Sequence, residues 1–355
     1  MKKNLWKVML WSMALLSVLL VLWGCGKESK IEIHTVEDLQ NVSSELGENY
    51  ILMNDLDLGG MEWTPIGTGL AEFNCFTGTF DGNGHSISNF KITGDTQYVG
   101  LFGCSRGAIE NLGLKSFAID RSSDTIFAGG LVGANYGTIT NCYAMGTVRD
   151  AQFNNSSYIG GLVGENGGTV RNCYAMGDVS ATSSSVRAYA GGLVGRNADG
   201  TITNSYATGD VSGSLYAGGL VGFIDGRSDT TSSCIFNSYA TGNVSGAYAG
   251  GLIGKNRYVT ITNCYAIGDV SGSTVGGLVG YGGRITNCYR YSGQSFTVTV
   301  NGTTTYEATN TLGTATDMAT LQSVDFQQNT LGWSADDWSF AAGAHPTLKN
   351  VGLAS

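Results

Sequence analysis

Gly129-Gly130-Leu131-Val132-Gly133, followed by Thr138-Ile139-Thr140 and Asn141-Cys142-Tyr143, is the stretch whose reading decides the fold, because the chain writes it repeatedly. The first block returns at Gly160, Gly191, Gly218, Gly250 and Gly276, with a looser first copy at Gly100-Leu101-Phe102-Gly103. Its leucines fall at 101, 131, 162, 193, 220, 252 and 278, so the period is 26 to 32 residues. The second block, Asn-Cys-Tyr or Asn-Ser-Tyr, starts at 141, 172, 204, 237, 263 and 287. A third closes most copies, as in Ala207-Thr208-Gly209-Asp210-Val211-Ser212-Gly213. Fixed-period self-similarity of this length is the signature of a stacked repeat architecture.

Each copy holds short β-branched or aromatic runs between glycine and asparagine corners, too short for helices and suited to strands. Three short strands and three corners per copy predict one coil of an all-β, right-handed parallel β-helix (β-solenoid) of roughly nine coils, its hand following from parallel crossovers. The uneven period supports this, since insertions lengthen solvent-facing corners while core strands stay constant. Glycine is expected at corners because it adopts positive φ without steric cost, and asparagine tolerates the same region. Stacked asparagines on successive coils can also bond to one another.

The whole composition follows the repeat. Of 355 residues 54 are Gly and 2 are Pro, while hydrophobic residues reach 42% and charged residues only 13%. Low charge with many apolar residues excludes a disordered linker, and the missing prolines and missing three-residue period exclude collagen. A net charge of −9 argues against a nucleic-acid partner, which needs a basic stripe.

These blocks resemble the GLUG-motif repeats of bacterial surface proteins. The likeness extends to Trp63-Thr64-Pro65-Ile66-Gly67, to Phe76 through His85, and to the closing stretch from Leu331-Gly332-Trp333 to His345-Pro346-Thr347-Leu348. It implies a secreted or surface-attached β-helical protein, often adhesin-like and sometimes an extension of a secreted metallopeptidase. No peptidase centre is expected, since His34, His85 and His345 are isolated and no His-Glu-x-x-His occurs.

Residues 1–24 read as a signal peptide, with Lys2, Lys3 and Lys7 ahead of an apolar run from Val8 to Leu22. Leu22-Trp23-Gly24-Cys25 resembles the lipobox of bacterial lipoproteins, apart from Trp23 where a small residue is usual. The resemblance implies lipid on Cys25, membrane attachment through it, and exposure at the bacterial cell surface. Residues 25–34 then form a tether, 35–98 an N-terminal cap with the first coils, 99–293 the repeat solenoid and 294–355 a C-terminal cap. Thr35 and Asp38 stand at capping-box spacing, so a helix is expected over Thr35 to Leu46, with Tyr50-Ile51-Leu52-Met53 as the first strand. Asp317 is placed to cap a second helix, and Asn301-Gly302 marks a hairpin within Ser295 to Thr304. The cysteines after Cys25 do not read as a disulfide framework. Cys142, Cys173, Cys264 and Cys288 share one slot with Ser205 and Ser238 and behave as small buried groups, adjacent pairs lying within disulfide reach.

Several rows are candidates for function. Tyr98, Phe127, Tyr158, Tyr189, Tyr216 and Tyr248 each precede a glycine block by two residues, and the row ends at Thr274. Facing solvent, they would form a strip for stacking on sugar or docking protein; facing inward, they are core filler, which base rates for solenoid interiors favour. Alternation cannot decide, because Leu131 and Val132 are both apolar, and a bulge or corner at the paired glycines must reset the phase. Variable corners supply further binding candidates in Arg121, Arg149, Arg187, Asp225 and Arg227. Asp178 and Asp210 fall in one slot and would make a weak calcium site, though a solvated turn explains them better. Paired threonines such as Thr138 and Thr140 read as a solvated β-face.

No cluster of acids, bases and metal ligands gathers in the repeats, so no cofactor is expected beyond that weak calcium candidate. The sequence points to a non-catalytic, lipid-anchored solenoid displaying a binding surface for glycan or protein. A polysaccharide-active β-helix enzyme and a structural spacer are the alternatives.

Overall fold

The computed structural model describes residues 30–68, 74–94, 96–121, 127–150, 156–181, 188–226, 234–309 and 312–351. The signal peptide, Cys25, Arg187 and Arg227 lie outside these residues.

The chain is a parallel β-solenoid of about seven turns. Equivalent strands pair in register from coil to coil, as in Thr138↔Thr169↔Thr201↔Cys234↔Thr260↔Arg284. The full turns correspond to the seven Gly-Leu corners, while the Thr138 face runs further because Ile31–Ile33, Tyr50–Leu52 and Thr79–Asp81 stack on it at the N-terminal end. Ile31–Ile33, and not Tyr50–Leu52, is thus the first strand: it lies beside Tyr50–Leu52 and completes that edge.

One coil divides more finely than three strands. Ala188–Gly191, Val194–Asn197, Thr201–Thr203, Tyr206–Ala207 and Val211–Gly213 are separate segments, because the chain bends at each Gly-Leu, each Asn and each small turn. The bend at Gly130-Leu131 lets Leu131 and Val132 both reach the core, each fully buried. That is the phase reset expected at the paired glycines. Every coil repeats this filling with Leu, Val, Ile and Ala, each large side chain contributing about 1.5–3 kcal/mol on burial.

Corner chemistry divides between two residues differently from the sequence expectation. Left-handed φ belongs to asparagine: Asn111, Asn141, Asn172, Asn204, Asn237, Asn263 and Asn287 all have φ between 47° and 55°. Their side chains form a continuous ladder, Asn141 donating to Asn111, Asn172 to Asn141, and so on to Asn287 at 2.8–3.2 Å. The paired glycines do not have positive φ. They and the lone corner glycines are needed because neighbouring backbone comes too close for a side chain: a Cβ on Gly129 would sit 2.6 Å from the amide nitrogen of Gly164, and one on the corner residue Gly177 would overlap the Gly146 carbonyl.

The cysteine slot faces the core. Cys142, Cys173 and Cys264 are fully buried free thiols, and Cys288 nearly so. Cys142 and Ser205 interchange there because both bond the carbonyl two residues back, at 3.2 and 2.8 Å. Among the described residues one disulfide is present, between Cys75 and Cys104, although the cysteine spacings do not read as a disulfide framework. Those two cysteines belong to the irregular first coils, next to the bridge Phe76↔Ser105.

Thr35 caps the helix Val36–Asn41 with a reciprocal bond to Asp38, and a 3₁₀ turn follows at Val42–Ser44. At the other end Phe296–Val300 and Thr303–Thr305 form the hairpin over Asn301-Gly302, and Phe296–Val300 stacks on the last coil. Thr314–Thr316 also stacks on the last coil, beside Tyr289–Tyr291, but the chain beyond it is not an end cap. After Asp317 caps the short helix Met318–Leu321, the chain runs back along the flank of the solenoid as a strap. It covers a second tyrosine row, Tyr174, Tyr206, Tyr239 and Tyr265, whose rings stack 4.8–5.0 Å apart. Trp333 and Trp338 stack on each other at 4.6 Å and lie over Tyr239. The strap is pinned by Tyr239 Oη donating to the Pro346 carbonyl at 2.8 Å, and by Trp333 Nε1 donating to Asn263 O at 3.0 Å.

Candidate binding face

The row beginning at Tyr98 faces outward. Val99, Ala128, Ile159, Ala190, Ala217, Ala249 and Val275, the next residue in each coil, are fully buried, so alternation turns the rings to the outside. The rings therefore do not fill the central core, yet Tyr98, Phe127 and Tyr189 are still buried on this side of the sheet, at 9, 9 and 7% exposure. Register sets Tyr98, Phe127, Tyr158, Tyr189, Tyr216 and Tyr248 side by side, with Thr274 closing the row. Ring centroids are 4.6–5.4 Å apart, and the stacking leaves Tyr158, Tyr216 and Tyr248 half-buried.

A second row runs alongside it, and the sequence reading passed over it. Cys104, Ala134, Glu165, Arg196, Phe223, Lys255 and Tyr281 share one register position, two residues after each Val, Phe or Ile of the glycine block. The signal was available: this is the variable slot inside an otherwise constant motif. Arg196 lies over the Tyr158 ring at 5.3 Å and bonds Glu165 and Asp225, each at 2.7 Å. Arg257 reaches the other oxygen of Asp225 at 3.3 Å, and Tyr136 Oη donates to Glu165 at 2.9 Å. Burial, and after it the Glu165 charge, hold the Tyr136 phenol well above its ordinary range. Lys255 Nζ stands 4.7 Å from the Tyr216 ring centre. Tyr136, Tyr258 and Tyr281 are exposed aromatics at 42, 53 and 52%.

The corner candidates scatter. Asp225 belongs to this face through Arg196 and Arg257. Arg149 is exposed on a different strand, Tyr143–Asp150, in register with Ser180. Arg121 ends the strand Gly113–Arg121, and its side chain is outside the described part. Asp178 and Asp210 are stacked, but their chemistry differs from an open cation site. Asp178 accepts the Asp210 amide, Asp210 the Asn243 amide, Asn243 the Asp269 amide and Asp269 the Ser295 amide, at 2.7–3.1 Å. A shallow groove of about 220 Å³ runs beside Asp210, Asn243 and Asp269. Among the described residues no three His, Cys, Asp or Glu side chains are grouped to hold a metal. The threonine pairs stand on the outer face around buried Ile139, Ile202 and Ile261.

Comparison with known proteins matches the GLUG motif at residues 128–149, 155–180, 187–212 and 245–271. A Gly-rich membrane protein of Evansella cellulosilytica is 40% identical over 126 residues, which make up 32% of this chain and 14% of that one. Halomucin of Haloquadratum walsbyi is 35% identical over 136 residues, 34% of this chain and 1% of halomucin. The chain thus matches only a small part of these much longer relatives. Among solved structures, a Bacteroides ovatus protein assigned as an immunoglobulin A1 protease aligns over 91% of this chain and 93% of its own, with TM-score 0.56 and 21% identity. An IgA1 protease aligns over 93% of this chain and 26% of its own, with TM-score 0.61 and 17% identity. At such identities the structural likeness shows the fold alone. Among the described residues no helix is long and apolar enough to cross a membrane.

Proposed function

We propose that this GLUG-repeat solenoid is a surface-displayed binding protein, held to a membrane by lipid on Cys25, whose outward tyrosine row and ionic neighbours take up glycan or protein ligands without chemistry. The observation that carries this reading is the outward row Tyr158-Tyr189-Tyr216 flanked by Arg196 and Lys255. Rings stacked face to face on a rigid sheet present a row of edges and hydroxyls at little conformational cost, and the flanking charges supply orientation. Retention on a panel of cell-surface glycans and matrix proteins tests it, and a blank across the panel counts against it. Fatty-acid analogue incorporation lost in Cys25→Ala tests the anchor.

A polysaccharide-active enzyme is the second reading, favoured by the convergence of Glu165, Arg196, Asp225 and Arg257. Against it, both carboxylates are engaged by guanidinium groups. Release of reducing or unsaturated ends from any retained polysaccharide would turn the reading toward catalysis.

A further inference from the structure

The aromatic row stops in a particular way. Thr274 occupies the slot after Tyr248, so the last ring has no ring beyond it. Tyr281 approaches Tyr248 edge-on, with centroids 5.6 Å apart at 80°, and is 52% exposed. Between them and the row stands Lys255, whose Nζ lies 4.7, 5.4 and 5.6 Å from the rings of Tyr216, Phe223 and Tyr281. Among the described residues its hydrogen bond goes to Tyr216 Oη at 3.1 Å.

The contrast with Arg196 matters. Arg196 occupies the equivalent slot two coils earlier and is neutralised by Glu165 and Asp225. No carboxylate among the described residues makes an ion pair with Lys255. An ammonium group carries three donors, and among the described residues only one is used. The chain as a whole is at −9, so a local cation without an acid partner is not a consequence of general basicity. Two strand positions on, Arg257 stands 5.8 Å from the exposed Tyr258 ring, although it, unlike Lys255, is held by Asp225.

We propose that the end of the row, formed by Tyr248, Lys255 and Tyr281, is a subsite for a carboxylate-bearing sugar unit, so that the ligand class of the binding face is an acidic, uronate-type polysaccharide. The apolar face of the pyranose ring packs on Tyr281, and the carboxylate takes the free donors of Lys255. Arg257 and Tyr258 lie where a neighbouring unit of the same chain is met. This inference rests on the binding-face reading above and narrows it.

The test uses the full chain with oligogalacturonate and its fully methyl-esterified counterpart, which share sugar faces and differ in charge. The acid form should bind at least about tenfold more tightly than the ester, as a charge-assisted hydrogen bond implies. Lys255→Gln should abolish that preference, so that acid and ester bind alike, with the melting temperature unchanged; Lys255→Arg should retain it, and Tyr281→Ala should weaken both forms. Equal binding of acid and ester, or an acid preference that survives Lys255→Gln, overturns the inference. If neutral glycans or proteins are retained and neither galacturonate form is, the inference falls while the binding-face reading stands. If nothing is retained, both fall.

Discussion

The side-chain amide of Asn204 donates to Oδ1 of Asn172 at 3.2 Å, while the Asn204 backbone sits at φ 47°. One residue thus turns the corner and ties two coils together. Asn204→Ala should cost about 2–3 kcal/mol, from left-handed strain plus the lost ladder bonds to Asn172 and Asn237. Asn204→Gly keeps the corner and loses only the ladder, so urea unfolding should rank wild type above Gly above Ala.

The glycines separate in the same way. Gly177→Ala puts a Cβ into the Gly146 carbonyl and should destabilise by at least about 3 kcal/mol, or prevent folding. Gly59 has φ +60° with nothing within 4 Å, so Gly59→Ala should cost only about 1 kcal/mol. Equal effects would contradict the assignment of the repeat glycines to close backbone approach.

Much of this was legible in the sequence because the repeat samples each position several times. The asparagine corners, the Thr35–Asp38 box, the Asn301-Gly302 hairpin and the outer threonines are all local patterns, and the structure keeps them. What the sequence hid is non-local. Glycine in a corner looks the same whether it supplies φ or space. Cys75 and Cys104 share no motif, and only coil stacking brings their Cα atoms to 4.7 Å. The strap's partners, such as Trp338 with Tyr206, are more than a hundred residues apart in the chain. The direction of the Tyr158 row depended on where the glycine bend falls, which alternation alone does not fix.

Reduction of Cys75–Cys104, or Cys75→Ser with Cys104→Ser, should lower stability by about 3–4 kcal/mol, as expected for a loop of this length. The thiols of Cys142, Cys173 and Cys264 should react with thiol reagents only on unfolding, since all three are fully buried and desolvation raises Cys142 and Cys264 well above the ordinary thiol range.

The strap should loosen in mild acid. Burial against Tyr265 and Gln322 lowers the pKa of His345 below the ordinary 6.5, so the folded form resists a proton that the unfolded form accepts. The stabilisation is complete above about pH 6.5 and is lost as pH falls toward the folded value. Melting temperature should drop across that window, and His345→Gln should flatten the dependence. Asp317, whose pKa is lowered by Thr320, acts only in the more acidic carboxylate range.

The central claim, that the outward aromatic row is the binding surface, is tested most directly by hydroxyl-radical footprinting of the chain free and bound to a ligand it retains. The account predicts that Tyr216, Tyr248 and Tyr281 become shielded while Tyr306, 76% exposed near the C-terminal end, stays reactive. Shielding confined to the Thr138–Thr140 face, with Tyr281 as reactive as in the free protein, would contradict it.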